Sequence, residues 1–179
     1  MKRLKFWSIW LLVALMIPLV TSCMQDVSGT YKAINPGKGF EKEEMYIKGN
    51  LAERRAYGKT TEHYKQSRET IVCDFTYIAV LECHLSVSDG KYKAEVKDYY
   101  IRINPDEFEA HVMFGGKPKI SNDSLISYYE NYFRQLVTNL FEEGKAEDKI
   151  PNFQFVVNGN KLIFVGGNEE NDYYIKLVE

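Results

Sequence analysis

Residues 70–87 constrain the fold more than any other part of the chain. Ile71, Cys73, Phe75, Tyr77, Ala79, Leu81, Cys83, Leu85 and Val87 occupy every second position. Successive side chains of a strand point to opposite faces, so this spacing predicts one long strand with an apolar face. The other face carries Val72, Asp74, Thr76, Ile78, Val80, Glu82, His84 and Ser86, apolar in the middle and wetter at both ends. A helix would scatter both sets around its circumference. A strand this long and this apolar needs partners at its edges and a cover on its dry face.

The neighbours supply the partners. Ser88-Asp89-Gly90 is a hairpin signal leading into Tyr92, Ala94 and Val96. The phase then slips at Asp98, because Tyr99, Ile101 and Ile103 are odd-numbered; a turn or a bulge there accounts for it. Asn104-Pro105-Asp106 makes a further turn, and Phe108, Ala110, Val112 and Phe114 alternate until Gly115-Gly116. Before the long strand, Asn35-Pro36-Gly37-Lys38-Gly39 reads as a loop and 43–48 as a short strand. The polar stretch 50–69 reads as solvated strand and loop, with a hairpin turning near Tyr57-Gly58-Lys59. After it come strands around Phe153, Phe155 and Val157, the turn Asn158-Gly159-Asn160, and strands at 161–165 and 173–178.

One segment changes period. Leu125, Tyr129, Tyr132, Phe133, Leu136, Val137 and Leu140 recur at three and four, which is helical. Ser121, Asn122 or Asp123 can cap its start, and Gly144 is the expected stop. On a wheel the apolar arc from Tyr128 to Phe141 spans about 220°, wider than one face against a sheet requires. Either the helix is wrapped on two sides, or Tyr128 and Phe141 face a partner. The fold class is therefore mainly β (α+β): a curved antiparallel sheet or barrel with one long helix packed against it.

The amino terminus carries an address. Lys2, Arg3 and Lys5 precede an apolar run over 6–20, followed by Val20-Thr21-Ser22-Cys23. The run is short for a span of about 20 residues, and Pro18 sits near its end, so it reads as a signal rather than a permanent helix. A small residue followed at once by cysteine resembles the lipobox of bacterial lipoproteins. That resemblance implies a signal peptide over 1–22, cleavage before Cys23, and lipid on the Cys23 thiol and on the new amine. Several acyl chains hold a protein to a membrane where one does so only marginally. The expected layout is thus a lipidated start and short tether at 23–26 and a single β-rich domain over 27–179. The expected location is the bacterial cell envelope, at the outer membrane if the host is Gram-negative, since Met24 follows Cys23 where an aspartate would imply inner-membrane retention.

Asp26-Val27-Ser28-Gly29-Thr30-Tyr31-Lys32, opening a β-rich exported domain, resembles the Gly-x-Trp start of lipocalin-like domains, with Tyr31 in place of tryptophan. The closing strands over 153–177 are also similar to those of small lipocalin-like bacterial lipoproteins. The resemblance implies an up-and-down barrel with a cavity for a small apolar ligand. The long helix departs from that pattern, since it precedes three predicted strands instead of following nearly the whole barrel. Phe75, Tyr77, Phe108 and Val112 are the expected lining residues. The competing expectation is a filled core and an envelope-protein partner, met by the helix at Tyr128 and Phe141 or by a sheet edge.

Composition narrows the function classes. Hydrophobic residues at 45% and charged residues at 27% exclude a wholly disordered chain. Losing Lys2, Arg3 and Lys5 with the signal leaves 20 cations against 25 anions, no footprint for nucleic acid. His63, His84 and His111 are scattered without metal-ligand spacing. Gly37-Lys38-Gly39 lacks the rest of a phosphate loop, and no serine sits in a nucleophile elbow. Asp106, Glu107 and Glu109 read as solvated turn residues, so neither catalysis, metal nor cofactor is expected. An exported pair of cysteines, Cys73 and Cys83, invites a disulfide. Ten residues along one strand separate them by roughly 33 Å, whereas a disulfide needs Cα atoms within about 7 Å. Two buried thiols are the alternative that the pattern favours.

Overall fold

The computed structural model describes residues 26–146, 152–166 and 172–178, with 140–146 described by backbone alone. Among the described residues are nine strands and one long helix. The strands are β1 Gly29–Ala33, β2 Lys42–Lys48, β3 Leu51–Gln66, β4 Glu69–Ser88, β5 Lys91–Ile103, β6 Glu109–Val112, β7 Phe153–Asn158, β8 Lys161–Phe164 and β9 Tyr173–Lys176; the helix is α1 Asn122–Ala146. Every pairing is antiparallel. The series β1-β2-β3-β4-β5-β7-β8-β9 closes where β9 pairs back onto β1. The result is an eight-stranded barrel with one long helix packed against it, consistent with a lipocalin-like fold. β6 stands outside the ring, paired with the first residues of β4.

β3 and β4 are longer than the barrel they belong to. β2 reaches along β3 only from Leu51 to Tyr57, and β5 reaches along β4 only from Tyr77 to Ser88. The remainder of the pair, 59–66 against 69–76, projects beyond the ring as a hairpin turned at Ser67-Arg68, with Ser67 at φ 54°. The apolar odd-numbered face of β4 runs unbroken through both parts. Inside the barrel, Cys83 joins Tyr31, Met45, Ile47, Ala94, Phe155 and Leu162 in one core. On the projecting hairpin, Ile71, Cys73 and Phe75 join Ile103, Phe108, Leu125 and Tyr129 in a second core beneath α1. One strand face thus supports two cores.

β5 follows β4 around both cores because of one extra residue. The register shifts between Glu82 and Cys83, opposite Asp98 and Val96, leaving Lys97 unpaired. This bulge moves the inward phase from even to odd numbers, so that Tyr99 reaches Thr138 of α1 through its hydroxyl and Ile103 enters the second core. α1 starts on Ser121, whose Oγ accepts from the Ser124 amide at 3.3 Å. It continues through Gly144 to Ala146, two residues past the expected stop.

The stretch 50–69 departs from its reading as strand, loop and hairpin. Nearly all of it is β3, a single strand. Gly58 is not a turn residue: it lies directly opposite Tyr77, and a Cβ added there would stand 2.6 Å from the Tyr77 ring. The ring lies over the glycine and stacks onto Phe133 of α1, so Gly58 is a notch. The invited disulfide is also absent. Cys73 and Cys83 are both free and buried on the same strand, one in each core. Burial raises both thiols, Cys83 to about 11, so they persist as inert protonated groups.

The chain enters at the barrel end opposite the helix. Ser28 Oγ accepts from the Gly49 amide at 3.2 Å, beside the β2–β3 turn. The β4–β5 and β7–β8 turns lie at the same end, and Leu177 N donates to Thr30 O there at 2.7 Å. At the other end, the notch at Gly58 predicts a measurable cost. Gly58→Ala should destabilise the protein by about 1–3 kcal/mol, because the Tyr77 ring has no free space to enter. Urea unfolding measures it, and Tyr77→Leu in the same background should recover part of the loss.

Candidate ligand site inside the barrel

The inward face of β3 reads Ala52, Arg54, Ala56, Gly58, a guanidinium among residues with almost no side chain. Arg54 pairs with Met45 on β2 and Leu81 on β4. Met45 lies in the barrel core and Leu81 packs against it, so Arg54 also points into the barrel. Two partners from other strands hold it. Arg54 Nη2 donates to both carboxyl oxygens of Glu43 at 3.2 and 3.0 Å, and Nε donates to Tyr174 Oη at 3.1 Å. Tyr174 in turn donates to Glu43 Oε2 at 2.7 Å. The guanidinium carbon stands 5.6 Å from the centre of the Phe164 ring, a cation–π distance.

The electrostatics keep this trio in fixed protonation states. Burial works to lower the Arg54 pKa, but Tyr174 and Glu43 together outweigh it, and the guanidinium stays charged. Burial, with Glu43 adding to it, raises the Tyr174 phenol well above its ordinary value. The phenol therefore keeps its proton for Glu43 and presents a lone pair to Arg54. A buried ion pair is tolerable only when its remaining donors and acceptors are also satisfied. Here one group is left over. Arg54 Nη1 makes no hydrogen bond among the described residues, and the Arg54 side chain is 30% accessible whereas that of Glu43 is 4% accessible.

Apolar side chains line the inner face on both sides of Arg54. Toward the entry end, Ile47, Ala52, Cys83, Ala94, Phe155 and Leu162 are buried. Toward the helix end, Leu81, Val96, Phe153 and Phe164 pack against the same core but remain only half-buried. Leu85 and Val157, toward the entry end, are half-buried against the same core as well, so partly buried apolar side chains stand on both sides of the polar trio. A lining of this composition, one guanidinium among apolar side chains, suits a molecule with an apolar body and one hydrogen-bond acceptor.

The sequence-predicted lining residues are distributed otherwise. Phe75 stacks on Phe108 at 5.5 Å between ring centroids and meets Tyr129 at 5.4 Å; these rings fill the core beneath α1. Val112 is the last residue of β6, opposite Ile71. Tyr77 stacks on Phe133 and also borders a cleft of about 400 Å³ with Glu41, Tyr57, Arg102 and Glu107. A second groove, of about 570 Å³, lies on the outer face over Tyr46, Leu51, Glu53, Glu82, His84 and Lys97. Tyr128 is 46% exposed on α1. The side chain of Phe141, and Cys23, lie outside the described residues.

Sequence reading missed Glu43, Arg54 and Tyr174, which lie on β2, β3 and β9. The usable signal was local: Ala52, Arg54, Ala56 and Gly58 recur with period two, placing one charge in a row of small residues. A charged residue in the small, inward phase of a strand implies a buried partner elsewhere.

Breaking the trio on one side should be costly. Arg54→Met leaves the Glu43 carboxylate buried without its cation, and a loss of about 3 kcal/mol is expected, the low end for such pairs because Arg54 keeps some solvent contact. Adding Glu43→Gln, which can still accept from Tyr174, should recover most of it. A double-mutant cycle in urea measures both.

No family model matches the chain, and no curated protein or solved structure matches it either.

Proposed function

We propose that this protein is a non-catalytic binding domain tethered to a bacterial envelope membrane, and that its barrel carries a small, largely apolar molecule with a hydrogen-bond acceptor at one end. The Arg54 side chain on the inner face, 30% accessible and with Nη1 unengaged among the described residues, carries this reading. In it, Arg54 holds the acceptor, Phe164 and Phe153 lie along the apolar body, and Glu43 with Tyr174 fixes the guanidinium beforehand. Fixing the donor in advance removes an ordering cost at the moment of binding. The tether is the lipid expected on Cys23, which stands three residues before the first described residue.

A second reading has its own support. Tyr128, Tyr132 and Leu136 are 46, 45 and 46% exposed and follow one another at helical spacing along α1. A stripe of this kind on an exported domain suits contact with another envelope protein.

Native mass spectrometry of residues 24–179, made in a bacterial periplasm and purified without detergent, tests the ligand. A stoichiometric added mass lost on denaturation is expected, and Glu43→Gln/Arg54→Met should carry less of it. A chain that arrives empty and takes up neither oleate nor decanol would remove the ligand reading. The tether is tested apart from it: Cys23→Ser in the full-length chain should move the protein from the membrane fraction to the soluble one.

A further inference from the structure

Among the described residues, the projecting hairpin leaves one edge of the sheet without a partner. β2 ends its pairing at Tyr57, and beyond it 58–66 are paired with β4 alone. The direction of the unpaired groups follows from three hydrogen bonds. Glu41 N donates to Tyr57 O, so Tyr57 turns its carbonyl away from β4. Thr76 O accepts from Asn104 and Thr70 O accepts from Met113, both on the far side of β4 from β3. Their opposite numbers, Lys59 and Lys65, therefore belong to the pairs that exchange no hydrogen bonds across β3–β4. By the two-residue period, Lys59, Thr61, His63 and Lys65 all present their N–H and C=O groups outward, and none has a main-chain partner among the described residues. Such an edge is a template for another strand.

Two further observations say what kind of strand it fits. On one face of the edge, Lys59, Thr61, His63 and Lys65 are exposed, with two cations on the same row. On the other, Tyr64 meets Tyr128 of α1 edge-on at 4.9 Å, and Tyr128 stacks on Tyr132 at 6.2 Å. The exposed helix stripe thus begins where the free edge is. A second copy centred on Glu62 is a poor occupant. Antiparallel self-pairing about Glu62 sets Lys59 beside Lys65 of the other copy, and like charges directly opposite are destabilising.

We propose that the free edge of β3 takes up an extended segment of another protein as an added strand, with acidic residues at the alternate positions beside Lys59 and Lys65 and aromatic or aliphatic residues between them, against Tyr64, Tyr128 and Tyr132. Main-chain hydrogen bonds to Lys59, Thr61, His63 and Lys65 supply affinity, and the two faces supply selectivity. This deepens the second reading of function by naming the partner's chemistry, and it does not depend on the ligand in the barrel.

The test uses displayed random nine-residue segments selected on residues 24–179 and then assayed on variants. Thr61→Pro removes one outward N–H that the β3–β4 ladder does not use, so the fold should survive, as circular dichroism will report. Selected segments should alternate acidic and apolar residues, protect the amides of Thr61, His63 and Lys65 from exchange, and bind Thr61→Pro at least tenfold more weakly. Lys59→Glu/Lys65→Glu should turn the selection toward basic residues. Segments that bind Thr61→Pro normally but fail on Tyr132→Ala would leave the helix stripe as an interface and overturn strand addition. No selected segment would remove both. A dimer abolished by Thr61→Pro in sedimentation would give the edge to a second copy and overturn the proposed partner.

Discussion

The structure depends on one unbroken apolar strand face. β4 runs for 20 residues, roughly 66 Å of extended chain, while its neighbours in the ring cover only part of that length. A face that stays dry beyond the barrel must be covered by something, and α1 is what covers it. Ile71, Cys73 and Phe75 are as completely buried beneath the helix as Cys83 is inside the ring. The helix is therefore not an ornament on a finished barrel. Without it, the projecting half of β3–β4 would expose Phe75 and Tyr77 to water, along with the phenylalanine and tyrosine rings that now stack on them.

Much of this follows from local patterns. The period-two run of β4, the turn at Asp89-Gly90, the phase slip on β5 and the helical period from Leu125 onward all concern residues adjacent in sequence, and each has its counterpart in the fold. What could not be read there is pairing at a distance. Closure of the ring depends on Tyr31 meeting Lys176 and Tyr92 meeting Phe155, and no local period specifies either. The misreading at Gly58 has the same origin: glycine beside polar residues resembles a turn until Tyr77 is known to lie across from it. Phe75 and Phe108 stack beneath α1 while Tyr77 also borders a cleft, a distinction that rests on a related point. Alternation identifies an inward face, but whether that face meets space or a helix depends on where the helix goes.

The Glu43–Arg54–Tyr174 trio illustrates how a barrel interior can hold a charge. Small neighbours on β3 make room, two other strands bring an acid and a phenol, and an aromatic face closes one side. Each partner alone would be a burdened group: a buried carboxyl, a buried phenol, a cation in an apolar enclosure. Together they leave only the Nη1 group of Arg54 without a hydrogen-bond partner among the described residues.

The position of the chain's entry has an orientational consequence. Asp26 and Val27 lie beside Gly49, Asn50, Leu85 and Val87, at the end with the hairpin turns, while α1 and the free edge of β3 lie at the other. Whatever grips the protein by its amino terminus therefore grips it at the end of the hairpin turns. The aromatic helix stripe and the outer edge of β3 then stand together at the far end of the body, both reachable by a single partner approaching from that side.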